Sequence, residues 1–106
     1  MDPKVKRLVD QVKAHLNGVY GGGIKKVILY GSHARGEATK DSDVDVLVLV
    51  DPSLNPRDVE DSLSDLLYDI LLDERELVSV IVLPEDHFEN HNLPFMLNVR
   101  KEGVTI

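Results

Sequence analysis

Apolar positions along the chain fall into runs whose spacing changes from helical to strand-like and back. Val5, Leu8, Val9, Val12 and Leu16 recur at intervals of three and four, with Asp2 placed to cap and Pro3 suited to a first turn. That period predicts a helix reaching to Gly18. Gly21-Gly22-Gly23 interrupts it and reads as a flexible link. Residues 25–30 end in a β-prone apolar stretch, and residues 43–50 are so dense in Val and Leu that they predict a strand buried on both faces. Asn55-Pro56 opens a second helix, with Val59, Leu63, Leu66, Leu67, Ile70 and Leu71 inward and Asp58, Asp61, Asp65, Asp69 and Asp73 largely outward. Residues 77–83 read as a third strand. Pro84 begins a short helical stretch, residues 94–102 form a last helix, and Gly103 turns the chain into a candidate edge strand at 104–106.

This order predicts an α/β chain (α+β in some schemes), a small mixed β-sheet flanked by helices in two or three layers. At 106 residues it fits one domain over 1–106, with a radius of gyration near ~13 Å. The absence of cysteine excludes disulfides and thiolate metal sites and fits a reducing, cytoplasmic setting. No signal peptide or membrane-spanning run is evident, so no membrane partner is expected. A net charge of -7 argues against wrapping duplex nucleic acid, whose phosphates call for a basic face. A nucleotide suits this chain better than a duplex.

The chemistry concentrates between the first two strands. Gly31 follows the first strand directly, where glycine permits a tight turn and close approach of backbone to ligand. Ser32 offers a hydroxyl and an unobstructed N–H, and Arg35 adds a permanent charge whose fork suits phosphate oxygens. Arg35 can equally pair with Glu37 or Asp41 and lock the loop. Asp43 and Asp45 alternate at the head of the second strand, so they point the same way with Cα atoms roughly 6.5–7 Å apart. Two such carboxylates can share a hard cation, and Mg2+ commonly sits between carboxylates and substrate phosphates.

Rival readings of the same residues can be tested. Gly31 and Gly36 have P-loop spacing, but Glu37 and Ala38 stand where Lys and Ser or Thr are required. Asp41, Asp43 and Asp45 imitate an EF-hand loop, but Val46 takes the glycine position and Pro52 that of the bidentate Glu. A plain turn at Asp41-Ser42-Asp43 accounts for Asp41 and leaves Asp45 unexplained. Among the histidines, His87 and His91 lie four apart without a third ligand and read as surface residues. His33 lies in the loop, either tuning nucleotide binding or simply exposed, and His15 has only helix-surface meaning.

Residues 31–48, from Gly31-Ser32 through Asp43-Val44-Asp45, resemble the signature of the DNA polymerase β-type nucleotidyltransferase superfamily, and most of all its minimal members. The resemblance implies the nucleotidyltransferase fold, with Gly31 and Ser32 binding an NTP, ATP foremost, and Asp43 and Asp45 ligating Mg2+ and carrying catalysis. It implies transfer of a nucleoside monophosphate to a hydroxyl acceptor, with a HEPN-type toxin, adenylylated by an antitoxin, as the partner class. In active members a third carboxylate lies on the strand after the next helix, and here Ser79 is the only polar residue of that run. The alternative is a non-catalytic nucleotide-binding or toxin-neutralising module that retains the fold.

Overall fold

The computed structural model describes residues 1–106. Its strands are β1 (Ile24–Tyr30), β2 (Val44–Val50), β3 (Val78–Pro84) and β4 (Val104–Thr105), in the sheet order β3-β2-β1-β4. β1 runs antiparallel to β2 and β4, and β2 runs parallel to β3, so the sheet is mixed as the sequence predicts. A parallel pair needs a crossover. The helices α3 (Pro56–Ser62) and α4 (Ser64–Glu74) supply it, entering the turn at Asn55, whose side chain accepts from the Arg57 N–H at 2.9 Å.

The remaining helices are α1 (Pro3–Tyr20), α2 (Ser32–Arg35), α5 (Glu85–Asn90) and α6 (Pro94–Glu102). Strand alternation divides them between two apolar cores. On one face Val27, Leu29, Val46 and Val48 meet Leu8, Val12 and Leu16 of α1, with Val59 of α3 and Ile70 of α4. On the other, Ile28, Leu47 and Leu49 meet Phe88 of α5 and Met96 and Val99 of α6. The molecule therefore has three layers, with β2 buried on both sides and a radius of gyration of 13.2 Å.

Several boundaries differ from the sequence expectation. Asp2 caps α1 through the Lys4 N–H at 2.8 Å, but the helix passes Gly18 and stops at Gly21, where φ of 53° turns the backbone left-handed. A lone glycine costs a helix about 1 kcal/mol, too little to end it while hydrogen bonds continue. The three glycines form a short 3-10 turn instead of a loose link, and Gly23 packs against Leu54 while its carbonyl accepts the Asp51 N–H at 2.8 Å. The helix foreseen after Pro56 is two, broken at the buried Leu63. Leu71, expected inward, is 40% exposed because Leu66, Leu67 and Ile70 already fill the inward arc of α4. His15 is more than a surface residue: its Nε2 is buried without a hydrogen-bond partner.

β3 forms one edge of the sheet, and that edge is partly closed. Glu60 of α3 accepts the outward Val82 N–H at 3.1 Å, and Pro84 at the strand's end has no N–H to offer. No helix is long and apolar enough to cross a membrane.

Candidate active site

The site assembles where β1 ends and β2 and β3 begin. Gly31 leaves β1 with φ of 78° and ψ of −157°, a region open essentially to glycine alone. A Cβ at this position would collide with the Asp45 carboxylate. The absence of a side chain thus lets a carboxylate lie against the main chain at the entrance to α2. The Ala34 and Arg35 N–H groups both donate to the Gly31 carbonyl at 3.1 Å, closing the turn. What the sequence presents as a loop is a single helical turn, so Ser32 and His33 carry first-turn N–H groups that lack an intrahelical acceptor.

Asp45 lies within β2, half-buried, while Asp43 is exposed just before the strand and not its first residue, since β2 starts at Val44. The segment leading to them is ordered by short side chains. The Thr39 N–H donates to Ser42 Oγ at 2.9 Å and the Asp41 N–H to Thr39 Oγ1 at 3.3 Å. Thr39 and Ser42 thus build the turn for which Asp41 was the sequence candidate. His33 Nε2 lies 3.5 Å from the Ser42 carbonyl, bridging α2 to this segment.

Burial pushes the Asp45 carboxyl up from its ordinary value, Asp43 adds to the rise, and His33 and Arg35 oppose it. His33, Arg35, Asp43 and Asp45 therefore share one electrostatic neighbourhood. Arg35 itself is engaged: Nη1 donates to both Glu102 carboxylate oxygens at 3.2 Å and Nε to Glu37 at 3.2 Å. These bonds raise the guanidinium pKa, Glu102 foremost. Of the two pairings open to Arg35 in the sequence, Glu37 occurs, Asp41 is not among the partners, and Glu102 joins from α6.

Ser79 stands in register with Asp45 across the parallel pair and is exposed, so the two residues share a sheet face. Glu76, just before β3, pairs with Lys4 at 3.4 Å. Tyr30, opposite Asp45 on the antiparallel side, was not singled out in the sequence. Burial raises its phenol pKa, with the Asp45 charge second, and its ring meets Phe95 edge-on at 5.4 Å. Its place beside Gly31 was the available signal. His87 and His91 lie apart from this site, on and just after α5, with ring centroids 4.1 Å apart. No group of three or more His, Cys, Asp or Glu converges to hold a metal ion unaided. A cavity of about 710 Å³ opens beside α2, between the start of α1 and residues His33, Thr39 and Lys40.

Comparison with known proteins bears on the family and the fold. The nucleotidyltransferase domain family model matches residues 5–103. A Methanocaldococcus jannaschii protein named as a candidate protein adenylyltransferase, MJ0604, is 36% identical over 100 residues, covering 93% of this chain and 90% of the relative. A crystal structure of a candidate nucleotidyltransferase from Sulfolobus solfataricus superposes with a TM-score of 0.66 at 21% identity, over 96% of this chain and 78% of that one. A toxin-antitoxin crystal structure with AMP-PNP gives 0.59 at 16%, over 91% and 70%. At those identities the two structures speak for the fold, and the sequence matches speak for descent. The chain belongs to the nucleotidyltransferase family, as one of its minimal members.

Proposed function

We propose that the chain transfers an adenylyl group from ATP to a hydroxyl of a protein partner, with Mg2+ as cofactor. The observation that carries this reading is the Asp45 carboxylate lying against the side-chain-free Gly31, with Asp43 two residues away and a helical turn opening beside it. The likeness to a relative named as a protein adenylyltransferase and to a toxin-antitoxin structure with AMP-PNP supports it. In this reading the partner is a toxin, of the HEPN type that the sequence resemblance implies, and the chain is its antitoxin.

The donor set fits a hard divalent cation. Asp45 and Asp43 stand two residues apart and interact, and the Asp45 carboxyl is raised by burial and then by the Asp43 charge, the second of which a cation would relieve. Asp43 and Asp45 would hold the ion, the phosphates of the nucleotide completing its ligands, and the ion would supply charge neutralisation at the phosphates. Gly31 and Ser32 hold the triphosphate through main-chain N–H groups and the Ser32 hydroxyl, and Arg35 exchanges Glu102 for phosphate oxygens. In the transfer, the acceptor oxygen forms a bond to the α-phosphorus, the bond from that phosphorus to the bridging oxygen breaks, and pyrophosphate leaves. The hydroxyl proton is lost to solvent, because Ser79 occupies the register position beside Asp45 and a serine is no base near neutral pH. Slow transfer follows.

Labelled ATP tests the reading, with a co-purified partner or N-acetyltyrosinamide as acceptor. Transfer should require Mg2+, vanish in Asp45→Asn and accelerate in Ser79→Asp. A missing base commonly costs about 10²–10⁴-fold. Nucleotide binding of equal affinity in EDTA would remove these carboxylates from the metal site, and brisk wild-type transfer unaffected by Ser79→Asp would remove the missing-base account.

A further inference from the structure

The most exposed apolar side chains of the molecule include a group on and just after α4. On α4, Tyr68 is 60% exposed, Leu72 59% and Leu71 40%, and Leu77 after the helix is 49% exposed. Positions 68, 71 and 72 are spaced by three and four, so they form one stripe, turned away from Leu66, Leu67 and Ile70, which pack on the core. Single exposed leucines need no explanation, but a contiguous apolar stripe calls for one. Asp65, Asp69 and Asp73 follow along one flank of it, all exposed. α4 itself contains no Lys or Arg, and the nearest free cation is Arg75 at its C-terminal cap. Glu74, on the opposite side, is already paired with Arg7 at 2.9 Å.

The stripe lies on the layer behind the sheet, opposite the face that carries Asp45, and reaches the end of the sheet at which the site opens. β2 and β3 are parallel, so their first residues lie at the same end of the sheet, and α4 runs into that end through Arg75. The Val44 N–H, between Asp43 and Asp45, donates to the Leu77 carbonyl at 2.9 Å. Leu77 is therefore hydrogen-bonded to the residue that separates the two carboxylates.

We propose that this stripe, from Tyr68 through Leu71 and Leu72 to Leu77, is the docking surface for the acceptor protein, and that it takes a helical segment with an apolar face and a basic margin. The choice of partner chemistry rests on charge: Asp65, Asp69 and Asp73 line the stripe, and a chain of net charge -7 repels an acidic partner and steers a basic one. The proposal rests on the adenylyl-transfer reading for its acceptor, and the docking step can be measured apart from chemistry. A second copy of this chain is the rival occupant, since Leu93, just before α6, and Leu97 and Lys101 on it are exposed.

The probes are a synthetic amphipathic helix of Leu and Lys with one Tyr, its counterpart with Glu in place of Lys, and N-acetyltyrosinamide. Binding to the full chain is read by fluorescence anisotropy and transfer by labelled ATP. The Lys peptide should bind at least about tenfold tighter than the Glu peptide, and Asp69→Lys with Asp73→Lys should remove that preference. Leu72→Ser should weaken the Lys peptide while labelling of N-acetyltyrosinamide stays unchanged, which shows that the fold and the chemistry persist. Equal binding of both peptides overturns the proposal. So does concentration-dependent self-association abolished by Leu72→Ser, which assigns the face to a second copy. Selective binding of the Lys peptide without transfer to any acceptor sustains the docking surface and refutes the adenylyl-transfer reading.

Discussion

Gly31 meets two separate demands, a backbone region closed to other residues and a carboxylate lying where its Cβ would be. Gly31→Ala should therefore cost about 1–3 kcal/mol in urea unfolding and also displace Asp45, so that nucleotide binding falls more than stability alone explains. Asp45 works in the opposite sense. Its carboxyl is raised chiefly by burial and then by Asp43, so the ionised form is disfavoured in the fold. A group whose folded pKa exceeds its unfolded one lowers stability where it is ionised, and the cost fades as pH falls through the folded value and is gone below the unfolded one. Asp45→Asn should accordingly raise the melting temperature at neutral pH in EDTA, with the gain disappearing in acid, while transfer is lost. A lower melting temperature would show that the carboxylate is structural. Asp43, Asp45, Gly31 and Ser32 drew notice because a glycine after a strand and acids at the head of an apolar strand have few bland explanations. Glu102 was not legible: it lies 67 residues from Arg35, and nothing local in the sequence relates them.

At the level of elements, the Arg35–Glu102 contact joins α2 to the end of α6. Solvent-exposed pairs contribute little to stability, so the clamp is weak enough for a triphosphate to displace it. Glu102→Gln should then tighten ATP binding several-fold and Arg35→Ala weaken it, as read by calorimetry. Weaker binding in Glu102→Gln would mean that the pair holds the loop in shape instead. The elements themselves were largely legible. Helical spacing located α1 and α6, and β-branched density located β2, because each pattern buries one stripe or both strand faces. The helix break at Leu63 was hidden, since an unbroken apolar period runs through it, and so was the helical turn at Ser32, which is too short to show a period. The end of α1 at Gly21 and not Gly18 reflects a choice among neighbouring glycines that only backbone hydrogen bonding decides.

Across the whole molecule, the layering was left open by the sequence, because a strand buried on both faces does not say which helix covers which face. The structure divides them, α1, α3 and α4 on one side and α5 and α6 on the other. The same division places Asp45, Tyr30 and Ser79 on the α5–α6 face. It also leaves β3 as a border strand whose solvent side is guarded by Glu60 and Pro84. An unguarded border is a template for another chain, and native proteins blunt such borders with charge and proline. Replacing Glu60 with leucine removes the acceptor and bares the Val82 N–H, whereas glutamine keeps an oxygen there. Light scattering of concentrated samples should show Glu60→Leu clustering and Glu60→Gln behaving as the parent protein. Glu60, far from any chemistry, would then set how concentrated this protein can become before its sheets begin to recruit one another into aggregates.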